Sequence, residues 1–550
     1  MLNNALLSTV GAILFFAAGV CTPCLAQQTA ALSGTVSSAE EGAMEGVVIT
    51  AKKPGSIVSV SVTSDARGHF AIPKGRLEPG QYNLTIRAVG YENSAPAKAD
   101  VSADGGANVE LKLKKSRNLS AQLTNAEWLM SIPGTVEQKD FLSDCTGCHT
   151  MERIVRSTHD ADEWQDTIVR MKGYAPVSQT IKPQRMLDPS RSGTREQWRK
   201  AAEYLATINL SATDHWEYPL KTMPRPAGDA TRVIVTEYQL PRPTIEPHDV
   251  ILDKDGVVWY SNFGEMFIGK FDTKTLNHTE YPVKQYKPDA PVGILNIDFD
   301  RNGDLWFDSM YQGALGKLDP KSGQMTMYPV PDEYNDIRAQ LNFVGLRHEV
   351  DGKVWTKDVG TNNVLRLDLA TNKWEKFRPT DKLAGAGPYG IYQLISDSKN
   401  NAWVAEFGDG HLGRVDAKTG DVKWFNTPTQ HARARRMSID DRDNIMLTLY
   451  RSNSVTYFDT KTEQFTEYKL PTPYTYPYRA AADKNGDIWV STMSTDRVVR
   501  FHPNTGKSSE YLMPTETNMR SAYVDNTTAI PTFWVGSNHT ASLVKVEPLD

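Results

Sequence analysis

Cys145, Cys148 and His149 stand together as CTGCH. At this spacing two thiols can reach both vinyl groups of one porphyrin while the next imidazole falls under the iron. The chain has four cysteines, at 21, 24, 145 and 148, and cleavage after Ala26 leaves only the second pair. In an oxidising compartment such a pair is a disulfide, a metal site or an attachment point. A structural zinc ion needs two further ligands, and a thioredoxin-like pair needs a βαβ setting; neither is present. The expectation is one covalently attached haem c on Cys145 and Cys148, with His149 as proximal iron ligand. Met171 is the first choice for the distal ligand and Met186 the alternative, with His159 as a third option. A methionine ligand raises the potential and suits an electron acceptor.

The segments that would have to position this motif follow from patterning. Ala5 to Val20 is an apolar run too short for a comfortable membrane span, and Cys24-Leu25-Ala26 supplies small residues at a cleavage site. Residues 1–26 therefore read as a signal peptide, with the mature chain in the periplasm and no membrane span after cleavage. The formal charge of -5 over 550 residues, with 23% charged and 39% hydrophobic residues, gives no basic stripe and argues against nucleic acid as a partner.

Residues 31–114 carry short β-branched runs broken by Gly and Pro turns, the pattern of an all-β sandwich. Residues 118–212 turn helical: Ala161 to Met171 and Arg195 to Ile208 place apolar residues at helical spacing. Ala212 to Asp229, with three prolines, reads as a linker. From 230 to 550 a repeat of about 45 residues takes over. Its core is an Asp, a Gly or Asn turn and a Trp, as in Asp253 to Trp259 and Asp300 to Trp306, with altered copies ending at Trp355, Trp403, Met446, Trp489 and Trp534. Four strand-like runs per copy and seven copies predict a seven-bladed β-propeller, with Arg232 to Pro241 completing the last blade. The fold class expected is thus multidomain: an N-terminal all-β sandwich, a central all-α cytochrome c domain and a C-terminal all-β propeller.

Counting back ten or eleven residues from the repeat Trp (from Met446 in the fifth copy, and fourteen residues from Trp534 in the last) gives the starts of the innermost strands. They hold His248 and Asp249, Asn296, Tyr392 and Gln393, Arg435 and Arg436, Tyr478 and Arg479, and Arg520, with Arg347 and His348 in the third copy. His248, Arg436, Arg479 and Arg520 are the candidate ligand-binding residues. Such a ring suits an anionic or oxygen-rich small molecule or the carboxylates of a partner.

Three resemblances attach to these residues. Gly34, Asp65, Gly68, Phe70, Gly80, Tyr82, Gly90 and Tyr91 resemble the carboxypeptidase regulatory-like domain. CTGCH, Trp164 to Met171 and Tyr204-Leu205 resemble a short class of c-type cytochromes, which implies a helical wrap around the haem. The Asp…Trp repeat, with Gly269 to Asp272, Gly316 to Asp319 and their echoes, resembles virginiamycin B lyase propellers over about 310 residues. That likeness implies ring opening by elimination with a His base and Mg²⁺ held by Glu; Glu406 and either His248 or His411 are loose candidates. The function expected first is a periplasmic electron-transfer cytochrome whose propeller binds a redox partner protein or a small molecule, with haem-dependent oxidoreductase chemistry. The alternatives are a streptogramin-lyase-like enzyme with an accessory haem domain, and a haem-containing sensor without turnover.

Overall fold

The computed structural model describes residues 30–208, 216–383 and 390–549. The signal-peptide reading, on residues 1–26, lies outside them. About 42% of the chain is strand and 14% helix, and the strands form two bodies joined through one shared sheet.

The N-terminal body is a sandwich. Strand Ala30–Ser38 pairs antiparallel with His69–Pro73 and parallel with Ala107–Lys115. The facing sheet runs Ala97–Val101, Gly80–Arg87, Val48–Lys52, Val58–Thr63. Alternation sets the faces: in His69–Pro73, Phe70 and Ile72 are buried while His69 and Ala71 are exposed. The turn before that strand is built by Asp65, whose Oδ1 accepts the amide N–H groups of Arg67 and His69 at 2.9 and 2.8 Å. Gly68 takes φ +73° there, and a Cβ would lie 2.5 Å from the Val36 carbonyl oxygen.

Seven four-stranded blades follow, spanning 247–282, 297–329, 341–377, 391–426, 434–469, 477–512 and 519–548. The last contributes three strands, and its fourth is Val233–Gln239, which pairs antiparallel with Ser542–Pro548 and closes the ring. The other edge of Val233–Gln239 pairs with Val58–Thr63. One sheet therefore runs from the sandwich into blades 7 and 1, and no edge of the closing strand is left open.

The repeat motif has a local physical cause. Asp253, Asp300, Asp397 and Asp483 accept the indole N–H of Trp259, Trp306, Trp403 and Trp489 at 2.9–3.0 Å through Oδ2. Their Oδ1 atoms hold the turn amides two and four residues on. One carboxylate thus fixes the turn and lets a large polar-tipped ring be buried. Trp355 lacks this partner and donates to the Asn400 carbonyl instead, at 2.8 Å. Asp483→Ala is expected to cost about 1–3 kcal/mol, because the buried Trp489 indole N–H loses its acceptor; a urea denaturation midpoint measures it.

The central segment is not an all-α domain, and the expected fold class is corrected on this point. Its helices are α1 (Asn125–Ser131), α2 (Val136–Asp140), α3 (Leu142–Cys145), α4 (Met151–Val155), α5 (Ala161–Lys172) and α6 (Arg195–Ile208). Only α5 and α6 exceed two turns. Capping boxes at Thr124/Glu127, Thr135/Gln138 and Asp160/Glu163 start α1, α2 and α5. Their apolar faces do not close on one another: Trp128, Leu142, Met151, Trp164 and Leu205 share one core with Phe407, Tyr450, Tyr476, Tyr478 and Met493 of the propeller. The helices form a cap completed by the blades. Asp140 at the end of α2 anchors it to Arg433 at 3.1 Å and Arg451 at 3.5 Å. The proline-rich stretch after α6 is also packed: Trp216 meets the edge of Trp128 at 4.9 Å, and Met223 N–H donates to Glu127 at 2.7 Å. Among the described residues no helix is long and apolar enough to cross a membrane.

Candidate active site at the capped propeller mouth

The innermost strands of six blades share one irregularity. Their pairing register shifts between Pro247 and Val250, Asn342 and Val344, Ile391 and Gln393, Ala434 and Met437, Pro477 and Arg479, and Met519 and Ala522. Each shift is a β-bulge, which re-aims side chains. The residues inside the bulges are His248 and Asp249, Phe343, Tyr392, Arg435 and Arg436, Tyr478, and Arg520 and Ser521. Phe343 takes φ +71°, a strained value for an aromatic residue.

Second-strand side chains staple neighbouring bulges together. Ser261 donates to the Leu295 carbonyl at 2.8 Å, Lys357 to that of Ile391 at 2.8 Å, Thr448 to that of Tyr478 at 2.9 Å and Ser491 to that of Arg520 at 2.6 Å. Asp308 accepts the amides of Leu295, Asn296 and Phe343 at 2.9–3.2 Å. Burial nevertheless pushes its carboxyl up to about 7. Burial also drives the Lys357 ammonium well below its ordinary value.

A hydrogen-bonded chain crosses the mouth. Tyr392 and Tyr478 share a bond at 2.9 Å, Tyr478 meets His248 Nε2 at 3.0 Å, and His248 Nδ1 meets Asp249 Oδ1 at 2.7 Å. Arg436 grips Asp249 with two bonds of 2.8 and 3.2 Å, and Asn296 donates to it at 2.9 Å. All of these except Tyr392, which is half-buried, are buried. Burial lowers His248 to about 4, against the pull of Asp249. Asp249 accepts only, so the imidazole proton belongs on Nδ1 and Nε2 faces Tyr478 with its lone pair. Burial alone would raise Tyr392, but Arg435, Arg436 and Arg520 bring it below the ordinary phenol value.

The cations outnumber their partners. Arg435 sits in a box of Tyr450, Tyr478, Tyr392 and Phe407, with ring centroids 4.2, 4.6, 4.9 and 5.3 Å away. Arg520 lies over Tyr478 and Phe263 at 5.6 and 5.8 Å. Arg479 is held by Ser521 at 2.8 Å. Among the described residues none of these three has a carboxylate in ion-pair contact, and the buried Nε atoms of Arg435, Arg436, Arg479 and Arg520 have no acceptor.

The cap closes over this mouth: Asn518 donates to the Thr146 carbonyl at 3.0 Å and Arg520 to that of Gly147 at 3.5 Å. The CTGCH segment is therefore the roof. Cys145 and Cys148 are free thiols, pushed up by burial to about 11 and about 12. His149 Nδ1 meets the Thr150 carbonyl at 3.0 Å. Met171 is 41% exposed, and Met186 packs on the cluster holding Val177, Phe263, Tyr311 and Phe343. His159 lies edge-on to Trp164 at 5.0 Å.

Other candidates serve the scaffold. Buried Glu406 accepts the amides of Gly408, Asp409 and Gly410 and meets His411 at 3.0 Å, holding a loop. Arg347 and His348 do not reach the mouth: the third copy is shortened before Trp355, so Phe343 takes their place, and His348 packs on Trp306 and Asp300. Phe343, Lys357 and Asp308 escaped sequence reasoning, since the Asp…Trp spacing points to the innermost strand and not to the staple beside it. Glu246 escaped it too, though it lies only two residues before His248.

Comparison with known proteins agrees with the outer bodies. Residues 31–114 match the carboxypeptidase regulatory-like domain, and residues 380–548 match the virginiamycin B lyase family. Comparison with curated proteins finds no match. Among solved structures, selenomethionine-substituted virginiamycin B lyase from Staphylococcus aureus is 20% identical with a TM-score of 0.48, over 57% of this chain and 99% of that one. A streptogramin B lyase is 21% identical with a TM-score of 0.49, over 58% and 100%. The extracellular domain of a putative hybrid two-component system from B. thetaiotaomicron is 14% identical with a TM-score of 0.43, over 56% and 38%.

Neither family model reaches the CTGCH segment. Among the described residues no group of three or more His, Cys, Asp and Glu could hold a metal ion. The expected haem c on Cys145, Cys148 and His149, with Met171 or Met186 as distal ligand, is corrected accordingly. So are the cytochrome c domain and the electron-transfer function built on it: the segment's apolar residues pack on the propeller, and the family matches are to the carboxypeptidase regulatory-like domain and, over residues 380–548, the virginiamycin B lyase family.

Proposed function

We propose that the protein is an exported enzyme of the lyase class that removes a proton and a neighbouring leaving group from a small anionic molecule held under the cap. The observation that carries this reading is the Tyr392–Tyr478–His248–Asp249 chain beside Arg435 and Arg520, which have no carboxylate in ion-pair contact among the described residues. Arg435 and Arg520 offer charge to a carboxylate or similar oxyanion. Tyr392, as phenolate, takes a proton from the carbon beside that group, and Tyr478, itself bonded to His248, positions it. The match of residues 380–548 to a lyase family supports the same class. Export rests on the apolar N-terminal run and the small residues before Gln27.

The test is turnover by the full mature chain of 3-acetoxy-3-phenylpropanoate, which yields cinnamate with a new ultraviolet absorption, and of quinupristin, with which one related lyase was crystallised. Formation of an unsaturated product by the wild type, lost in His248→Ala, is the expected result. A wild type that produces none from either probe would remove the reading.

A further inference from the structure

We infer that Glu246 is the acid of the same site, donating the proton that a departing oxygen needs, and that the substrate class is therefore a carboxylate bearing a β-alkoxy or β-hydroxyl group. This rests on the elimination reading above and adds the second proton that such a reaction handles.

Glu246 enters the innermost strand of blade 1 two residues before His248 and is 2% exposed. Its backbone is fixed, the N–H on Asn262 Oδ1 at 3.1 Å and the carbonyl accepting from Phe263 at 2.8 Å. Its side chain lies on Gly264, where a Cβ would come within 2.9 Å of Oε2. The cap roofs this spot, with Lys182 and Gln184 both donating to the Gly264 carbonyl at 2.8 and 3.3 Å. The Gln179 side chain bonds the Glu246 carboxyl, while its Oε2 is buried with no hydrogen bond among the described residues. A carboxyl walled in by glycine, cap and blade thus keeps one oxygen open to a further hydrogen bond.

The charged groups that face it are Arg520 from blade 7, Lys182 from the cap and Glu265 from its own blade, with the Cys148 thiol above. Glu265 is itself held by Arg242 at 3.1 Å and by Lys182 at 3.7 Å. Burial outweighs Arg520 and Lys182 and pushes the Glu246 carboxyl up to about 8. The charge of Arg520 reaches both Glu246 and Tyr392.

The step balances without oxidant or metal. Tyr392 takes the proton from the carbon beside the carboxylate, and that C–H electron pair becomes the double bond. The C–O pair leaves with oxygen, which takes the proton of Glu246. One proton returned from Tyr392 to Glu246 through solvent restores both. A carboxylate leaving group is stable as an anion and needs no such proton, whereas an alkoxide does; a buried neutral acid is matched to the second.

Two measurements test this on the full chain. The first is the rate ratio of 3-methoxy- to 3-acetoxy-3-phenylpropanoate in the wild type and in Glu246→Gln. A ratio at least ~100-fold lower in the variant is expected; an unchanged ratio with both probes turned over would overturn the acid and leave the elimination reading standing. Turnover of neither probe by the wild type would overturn both. The second needs no substrate. A carboxyl whose folded value is raised gives stability that is full below its unfolded value of about 4.3 and is lost as pH rises toward about 8. The melting temperature of Glu246→Gln should therefore gain on the wild type from about pH 5 to about pH 8 and then level off. A difference independent of pH would show that Glu246 is ionised and would overturn the acid alone.

Discussion

Replacing Arg436 by methionine is expected to destabilise the propeller by about 3–5 kcal/mol, as removal of one partner from a buried ion pair does. Arg436 is fully buried and lies over the rings of Phe343 and Tyr478 at 4.3 and 5.1 Å while gripping Asp249. Methionine fills much of the volume but leaves Asp249 with a buried charge whose remaining side-chain hydrogen-bond partners among the described residues are His248 and Asn296. Asp249 is held far below the ordinary carboxylate range chiefly by Arg436, against the upward push of burial. Removing both charges in Arg436→Met with Asp249→Asn should recover most of the loss, because a matched apolar and neutral pair carries no desolvated ion. Guanidinium denaturation of the two variants measures this. The exposed pair Lys423–Glu463, at 2.6 Å, sets the contrast: Lys423→Met should cost less than ~1 kcal/mol. Equal losses at the two sites would contradict the account of the mouth.

The second large effect is on turnover. Tyr392→Phe should lower kcat by about 10²–10⁴-fold, the range for loss of a positioned proton-transfer group. The ring contacts with Phe343 and Phe407 are kept by phenylalanine, so folding should change by only about 1 kcal/mol for the lost hydrogen bond to Tyr478. A structural role alone would lower melting temperature and kcat together; a proton-transfer role separates them. It should also remove the acid limb of the pH–rate profile, where the wild-type phenolate is protonated and activity falls. A variant that keeps this limb and loses little activity would assign the base elsewhere in the chain.

The propeller was legible because its signal is local. An aspartate that binds two turn amides and one indole must sit six residues before its tryptophan, and that distance survives in any sequence that builds the blade. His248, Tyr392 and Tyr478 were within reach for the same reason, since in those blades the mouth lies eleven residues before the Trp, and Arg436 lies ten before Met446. The cap was misread because its apolar residues keep helical spacing whether their partners are other helices or a blade. Trp164 and Leu205 look like the core of an independent bundle, and nothing in their periodicity names Tyr450 or Met493 as neighbours. CTGCH suffered similarly: spacing between thiols and imidazole describes what they can reach, while the roof they form over Asn518 and Arg520 is a tertiary fact. Glu246 was hidden by its type, for a glutamate beside a strand start is ordinarily a solvated rim residue, and its burial depends on a loop some sixty positions earlier.

The closing strand Val233–Gln239 bears on how the chain is made. It is synthesised before every other strand of the propeller, yet its blade partner, Ser542–Pro548, comes off the ribosome last. In the interval the strand that pairs with its other edge, Val58–Thr63 of the sandwich, has already been synthesised. The N-terminal body thus works as an internal clamp during biogenesis, keeping half of an aggregation-prone edge occupied while the strands between Val233–Gln239 and Ser542–Pro548 are wound into blades. Ring closure is the contact of longest sequence separation and the slowest to form. A chain truncated by its last strand would stall at that point with an open ring.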